Sequence, residues 1–428
     1  MHVVMERLGS FDRTEDRAKG VDATMPQVLV ARLLACTLVG TVVFAVPPGA
    51  SAARSRRVTK VAGPCRGSSN PTFFSSNRRL DVTSKGRLLA VYDPHGNGQQ
   101  LVWRNRRGRW RTRTRGKVRH GFFSAAHSAD RPASIVVGRD GRGREHAWVV
   151  WAAGDFTGGE LPLLMRRLTS LNAPRGPRVG PMVTLAPTGS GHARPDIALE
   201  DGRAAVVWVD RTADGSFDLT VGWVSSLGRP RPELVSQTVL LSTRRSAPTA
   251  TLVPTPDGLR VVASSGRGKL RLFKHDEDSP LTRWQRAGGG LDIARRSKPT
   301  AVVLGRKQII GAAEGRRGGV LRVVRFRLRG RPKVLLRVRG YSQPSLSRVG
   351  RTVVLVMVRT RDGRVVSRTL RRGGGWTKRD RTLIRSTGRR HLAWPNTMRR
   401  SDRLRFLVQG ARCPSTTSSN GVLAVIRR

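Results

Sequence analysis

Apolar and polar positions alternate along most of this chain in short runs, and each run ends in a cluster of glycine, proline, aspartate or arginine. The stretch "ARPDIALEDGRAAVVWVDRTADG", residues 193–215, shows the unit of the pattern. Pro195 is followed by a brief alternation, Ile197 and Leu199, then by a turn. A continuous apolar run, Ala204 to Val209, comes next and ends on Asp210, and Asp214-Gly215 marks a second turn. Period-two alternation predicts strands, and a short continuous apolar run predicts a strand buried on both faces. Long helical periodicity is absent after residue 53.

The unit recurs at intervals of about 50 residues: "NPTFF" at Pro71, "RPASIVV" at Pro132, "RPDIAL" at Pro195, "APTATLV" at Pro248, "KPTAVVL" at Pro299, "QPSLSRV" at Pro344 and "WPNTM" at Pro395. Trp208, Ala312, Met357 and Val408 each stand at the same offset from the proline of their unit. The second half of each unit is a strand, a turn and a further strand, as in "LVWRNRRGRWRTR", "LRLFKHDEDSPLTRWQR" and "VVSRTLRRGGGWTKR". In two other units the turn reads "LGRPRPELV" and "LRGRPKVLL". Four short strands per unit cannot bury both faces of a sheet alone, but radial packing of neighbouring units can. The expectation is an all-β β-propeller of about seven four-stranded blades, with six as the alternative count. The last unit runs out of chain before its fourth strand. "RVTKVAG" at 57–63 is a spare strand, so the ring is expected to close by pairing the N-terminal strand with the last blade.

The N-terminal part reads differently. Arg32 precedes an uncharged apolar stretch from Leu33 to Val46, Pro47-Pro48-Gly49 breaks it, and Ala50-Ser51-Ala52 fits a small-residue cleavage site. This is the layout of a secretory signal peptide and is short for a membrane span. The domain reading is therefore a polar extension at 1–24, with translation starting at Met25, then a signal peptide at 25–53 and a propeller at 54–428. A leader retained as an anchor, the one expected membrane attachment, is the alternative to cleavage. Export leaves two cysteines, Cys65 and Cys413, near opposite ends, and an oxidising compartment favours their pairing across the seam of the ring. Two separate thiols are the alternative.

Charge sharpens the picture. Lysine and arginine number 81 against 28 acids, for a net charge of +53. Such a surface attracts polyanions without selectivity, and that binding weakens steeply with salt. The expected partners are an anionic glycan, a cell-wall polymer or a protein, met by a secreted monomer at the cell surface. Specific nucleic-acid recognition is not expected, because no reading motif accompanies the charge.

Proline-led strands and the hairpins "GRW" at 108–110 and "GGW" at 374–376 resemble the sialidase-like, BNR-type propellers of secreted bacterial proteins. The likeness is architectural. The family's Ser/Thr-x-Asp-x-Gly-x-x-Trp box is absent, "TADGSF" at 212–217 has the wrong spacing, and Tyr92 and Tyr341 are the only tyrosines.

No phosphate loop, metal-ligand spacing or nucleophile elbow is present, and neither cofactor nor metal is expected. "HDEDS" at 275–279 reads as a solvated hairpin tip. The repeat suggests one site. In propellers the loops entering the innermost strands and those following the second strands open on one face, around the central channel. The entering residues include Arg131, Arg194 and Lys298. The second strands end on or near Asp155, Asp210 and Glu314. Convergence of these six would hold a carboxylate or phosphate through charge-assisted hydrogen bonds. Mutual neutralisation as ion pairs is the structural alternative. Two functional classes stay open: a non-catalytic binding propeller, and a sialidase-like glycoside hydrolase or lyase. Non-specific nucleic-acid binding is a third. Trp148, Trp151 and Trp208 are expected in the inter-blade core, and Trp110, Trp284 and Trp376 as packing staples.

Overall fold

The apolar run Ala204 to Val209 is buried throughout, and its neighbours on both sides show why. It is the second strand of a four-stranded antiparallel sheet whose two faces each pack on another sheet. Side chains of alternate parity serve alternate faces, so no polar stripe survives. Ala204, Val206 and Trp208 pack toward the preceding sheet, whereas Ala205, Val207 and Val209 pack toward the following one. Trp148 and Trp151 divide in the same way, Trp151 facing one neighbour and Trp148 the other.

The structure, a computed structural model, describes residues 56–62, 78–92, 100–105, 107–112, 133–152, 162–186, 194–276, 278–295, 297–305, 308–317, 319–327, 330–371, 374–385, 393–412 and 420–427. Every regular element among them is a strand. The strands form seven sheets, and these are the blades of the expected propeller. Blade 1 holds Leu80–Val82, Leu88–Tyr92, Gln100–Arg104 and Trp110–Thr112 from the inside outward. Blade 2 holds Ser134–Arg139, Glu145–Ala152, Leu163–Thr169 and Arg178–Ala186. Blade 3 holds Asp196–Glu200, Arg203–Arg211, Phe217–Ser225 and Glu233–Thr243. Blade 4 holds Thr249–Thr255, Gly258–Ser265, Lys269–Lys274 and Gln285–Asp292. Blade 5 holds Thr300–Leu304, Gln308–Glu314, Val320–Arg325 and Lys333–Arg339. Blade 6 holds Tyr341–Val349, Thr352–Arg359, Val365–Leu370 and Arg381–Ile384, with Arg400–Ser401 added in parallel to its inner strand.

Blade 7 closes the ring as the sequence predicts. Ala393–Thr397, Arg405–Arg412 and Asn420–Arg427 are its first three strands, and Arg56–Ala62 is its outer one, antiparallel to the C-terminal strand. An apolar cluster joins Leu407 and Met398 of blade 7 to Leu80, Ala90 and Tyr92 of blade 1. Each other pair of adjacent blades shares a cluster of the same kind.

Two details differ from the sequence reading. The inner strand of blade 1 begins at Leu80 rather than just after Pro71, which lies outside the described residues. In blade 6 the "GGW" hairpin gives only a bridge from Trp376 to Leu370, and the outer strand starts later, at Arg381. Trp376, Trp284 and Trp110 do pack as staples against inter-blade clusters.

The proline-led motif has a purpose that its apolar pattern hides. Inner strands of neighbouring blades do not pair as a sheet, so a polar side chain near the start of each strand reaches across instead. Asp81 accepts the Val137 N–H at 2.7 Å. Ser134 donates to the Pro195 carbonyl at 2.8 Å, and Thr249 donates to that of Ser297 at 2.9 Å. Asp196 accepts from the Leu252 N–H at 2.9 Å. Thr300 accepts from the Leu346 N–H at 3.3 Å, and Ser345 accepts from that of Thr397 at 3.0 Å. These bonds run from blade 1 through to blade 7 and satisfy backbone groups that the close approach of the strands desolvates.

Candidate functional site

The inner strands all run the same way along the channel. Residues that precede them gather at one end, the mouth, and the ends of the second strands return there. Arg194 and Gln343 both precede a unit proline, and both take a left-handed backbone, with φ of 34° and 53°. Proline narrows the choices of the residue before it, and a non-glycine residue held at positive φ stores strain of order 1–3 kcal/mol. The bend at Arg194 delivers the chain into the inner strand of blade 3, and the bend at Gln343 falls within the inner strand of blade 6, where the register shifts between Ser342 and Ser345.

Glu314, the last residue of the second strand of blade 5, organises this end. Its carboxylate accepts the Gln343 N–H at 2.8 Å, which ties blade 5 to blade 6. Its own N–H donates to the buried Ser297 hydroxyl at 2.8 Å, and its carbonyl accepts the Ala294 N–H at 2.8 Å. Lys298 follows in the same loop. Burial pulls its amine down to about 6, the nearby Arg194 guanidinium pushes the same way, and Glu314 opposes both. Arg194 from blade 3 and Lys298 and Glu314 from blade 5 therefore share one electrostatic neighbourhood. At pH 7 the lysine is mostly neutral, so the cluster offers a cation, an amine and a carboxylate rather than a row of positive charges.

The remaining mouth residues sort differently. Asp210 is the penultimate residue of its strand at this end of the channel, but its carboxylate accepts the neighbouring Arg211 N–H at 2.9 Å, and it stands opposite Asp218 in the ladder. Arg131 and Asp155 lie outside the described residues, as do Cys65 and Cys413. Of "HDEDS", read as a solvated tip, His275 is instead buried, and Asp276 pairs with Lys274 at 2.5 Å and with Arg260 at 3.5 Å. The His275 ring packs at a tilt against both Trp223 and Trp284. Among the described residues no group of three or more His, Cys, Asp or Glu side chains gathers to hold a metal. Neither tyrosine is poised to ionise. Burial pushes the Tyr92 phenol far up, and Tyr341, raised by burial and by Asp380, donates to the Asp380 carboxylate.

The channel itself holds residues the sequence reading missed. Arg78 of blade 1 donates to the Leu252 carbonyl of blade 4 at 2.9 Å, and its Nε lies 3.7 Å from Asp196 Oδ1. Arg399, in the first turn of blade 7, donates to the hydroxyls of Thr300 and, at 2.9 Å, Thr251. Two guanidiniums thus cross the lumen beside the buried carboxylate of Asp196, and Arg78 also acts on the buried Asp81. Below them, at the end away from the mouth, is a cavity of about 390 Å³ lined by Arg78, Arg348, Arg399 and Arg400 against walls from 252–256, 301–303 and Gly305. One signal pointed here. Other inter-strand turns carry glycine and aspartate, as in Asp201-Gly202 and Asp257-Gly258, whereas the blade 7 turn reads "MRRSDR".

No family model matches the chain, and no curated protein matches it. Solved structures resemble it at the level of the fold. The Aleuria aurantia lectin, described as a six-bladed β-propeller with a novel fucose recognition mode, aligns with a TM-score of 0.43 and 10% identity, over 74% of this chain and 99% of the lectin. The SapL1 lectin in complex with α-methyl fucoside aligns with a TM-score of 0.41 and 16% identity, over 69% of this chain and 93% of that one. The soluble aldose sugar dehydrogenase of Escherichia coli aligns with a TM-score of 0.41 and 12% identity, over 69% of this chain and 100% of that one. A propeller fold by itself does not choose among functions. The likeness to sialidase-type proteins is likewise one of propeller architecture alone.

Proposed function

We propose that the protein is a secreted, non-catalytic propeller that binds an acidic glycan or anionic polymer at the cell surface through its channel mouth. The observation that carries this reading is the meeting of Arg194, Lys298 and Glu314 from two different blades at one end of the channel. Arginine offers a planar fork for a carboxylate. The neutral amine and the glutamate suit sugar hydroxyls, which both donate and accept. The net charge of +53 raises the local concentration of any polyanion around such a mouth. A hydrolase would need two carboxylates about 5–10 Å apart flanking the scissile bond. Glu314 instead holds a backbone N–H of blade 6, and the two tyrosines are kept protonated. The leader at 25–53 supports export.

Calorimetry with an oligogalacturonide and a neutral galactan, each at low and high salt, tests the reading. The acidic oligosaccharide is expected to retain measurable binding at high salt, and Arg194→Ala is expected to weaken it by about 1.5–3 kcal/mol, the scale of a charged hydrogen bond. Equal binding of the neutral polymer, or no effect of Arg194→Ala, would remove the mouth as the site.

A further inference from the structure

The arginine-lined cavity at the other end of the channel is not used by the mouth reading, and its electrostatics are unusual. Four arginines line it, and its lining contains no acidic residue. Two buried carboxylates stand near Arg78: Asp196 serves the Leu252 N–H and the Thr251 hydroxyl, and Asp81 serves the Val82 and Val137 N–H groups. Both carboxylates are already engaged by backbone groups, and Arg348 and Arg400 at the rim meet no acidic residue in the cavity lining. Burial pulls Arg399 down to about 10, Asp196 opposes this, and Arg78 adds to it, as expected of like charges held together out of water. Burying like charges together is unfavourable unless something of opposite sign shares the space.

The rim is built rather than loose. The Arg348 N–H donates to the Arg399 carbonyl and the Gly350 N–H to that of Ser401, both at 2.9 Å. This backbone stitch sets Arg348 and Arg400 side by side in a parallel register, Arg348 from blade 6 and Arg400 from the blade 7 turn. Arg78 and Arg399 are fixed by their bonds to blades 4 and 5. Guanidinium forks converging from three blades match the several acceptor oxygens of a tetrahedral oxyanion, where a single carboxylate would leave donors unused. A volume of about 390 Å³ exceeds a bare ion and fits the size range of small-molecule sites. The apolar walls, Leu252 to Pro254 and Ala301 to Val303, leave room for a sugar ring beside the charged group.

We propose that this cavity is a second binding site, specific for a phosphate or sulfate group, either free or carried on a monosaccharide. It is separate from the mouth and does not depend on it.

Isothermal calorimetry of the full chain in 150 mM sodium chloride, with inorganic phosphate, inorganic sulfate, glucose 6-phosphate and glucose as titrants, tests the proposal. Binding of the oxyanions and not of glucose is expected. Tighter binding of glucose 6-phosphate than of inorganic phosphate assigns the site to a sugar ester, and the reverse order assigns it to the free ion. The pair Arg348→Ala and Arg400→Ala is expected to weaken phosphate binding at least tenfold. Arg400→Ala alone, at an exposed position, is expected to weaken it severalfold if the pair does not fold. The pair Arg229→Ala and Arg331→Ala removes the same charge from distant exposed turns and is expected to change the affinity less than twofold. Equal loss in both pairs, or no heat with any oxyanion beyond that of matched chloride, would sink the proposal. Oligogalacturonide binding measured on the Arg348 and Arg400 pair reports on the mouth alone, so failure of one site is distinguishable from failure of the other.

Discussion

Lys298 shows how far a single residue can depart from what its letter suggests. In the sequence it reads as a cation next to a proline. In the fold it is an amine held at about 6 by burial and by Arg194. Two consequences follow with definite sign. An anion at the mouth favours the protonated amine, so affinity for an acidic oligosaccharide should rise as pH falls from 7.5 to 5.5. Lys298→Met should abolish that rise in calorimetry, and a flat profile in the parent protein would argue that no anion docks beside this amine. For stability, the folded pKa lies below the unfolded value, so the unfolded chain binds the extra proton between about pH 6 and pH 10.5. Stability from this group therefore increases with pH across that window, by at most about 1.4 kcal/mol per pH unit. Denaturation midpoints of Lys298→Met should lack the increment between pH 6.5 and 9. The phase of the repeat put Arg194, Lys298 and Glu314 at one end of the channel. It did not reveal that the amine is neutral, because desolvation depends on neighbours from other blades.

Strands carry the next lesson. Their second members were legible because continuous apolar runs such as "AAVVWV" have no other use in a chain of this kind. The inner strands were found through their prolines, yet the residue that follows the proline does as much. Asp196, Thr249, Thr300 and Ser345 each follow one and each bond to the next blade. A pattern of apolar and polar letters records such a residue merely as polar, because its partner sits some 50 residues away. Asp196 is the member with most at stake, since it also compensates Arg78 and Arg399. Asp196→Ala should destabilise the protein by about 3–5 kcal/mol, the scale for breaking a buried ion pair and stranding its partner. Ser134→Ala should cost only about 1 kcal/mol. Urea denaturation of the two variants makes the comparison, and a loss below 1 kcal/mol at Asp196 would mean that another group balances the lumen. Arg399 escaped detection for a related reason: a turn arginine looks solvated until the far side of the channel is known.

At the scale of the molecule, closure is the feature that the sequence announced most directly. A spare strand at one end and a missing one at the other admit few other arrangements. The strand Arg56–Ala62 and the strand Arg405–Arg412 flank Asn420–Arg427 and run parallel to each other. They leave the sheet at the same end, about 10 Å apart by the usual strand spacing. Cys65 and Cys413 follow within a few residues in sequence and lie outside the described residues. Peptide mapping without reductant should recover the two cysteines linked, and free thiols at both positions in exported protein would count against the seam lock. Thr59→Pro places a proline in the middle of the closing strand, opposite Ala424. It should lower the melting temperature and promote self-association in size-exclusion chromatography. An unchanged monomer would show that the inter-blade clusters hold the ring without full pairing of the closing strand.

The pairing of the first strand with the last also sets an order of events during synthesis. Arg56 meets Arg427, roughly 370 residues later. At about 5–20 residues per second, a ribosome takes on the order of 20–70 s to cover that distance. Throughout that time the opening strand has no native partner, and each nascent blade shows an apolar face to its unfinished neighbour. Bare edges and uncovered faces are where chains stick to one another. Arginine is densest in the blades made last, the ones on which closure waits. Repulsion between crowded incomplete chains would then protect the protein through the interval in which its ring is still open.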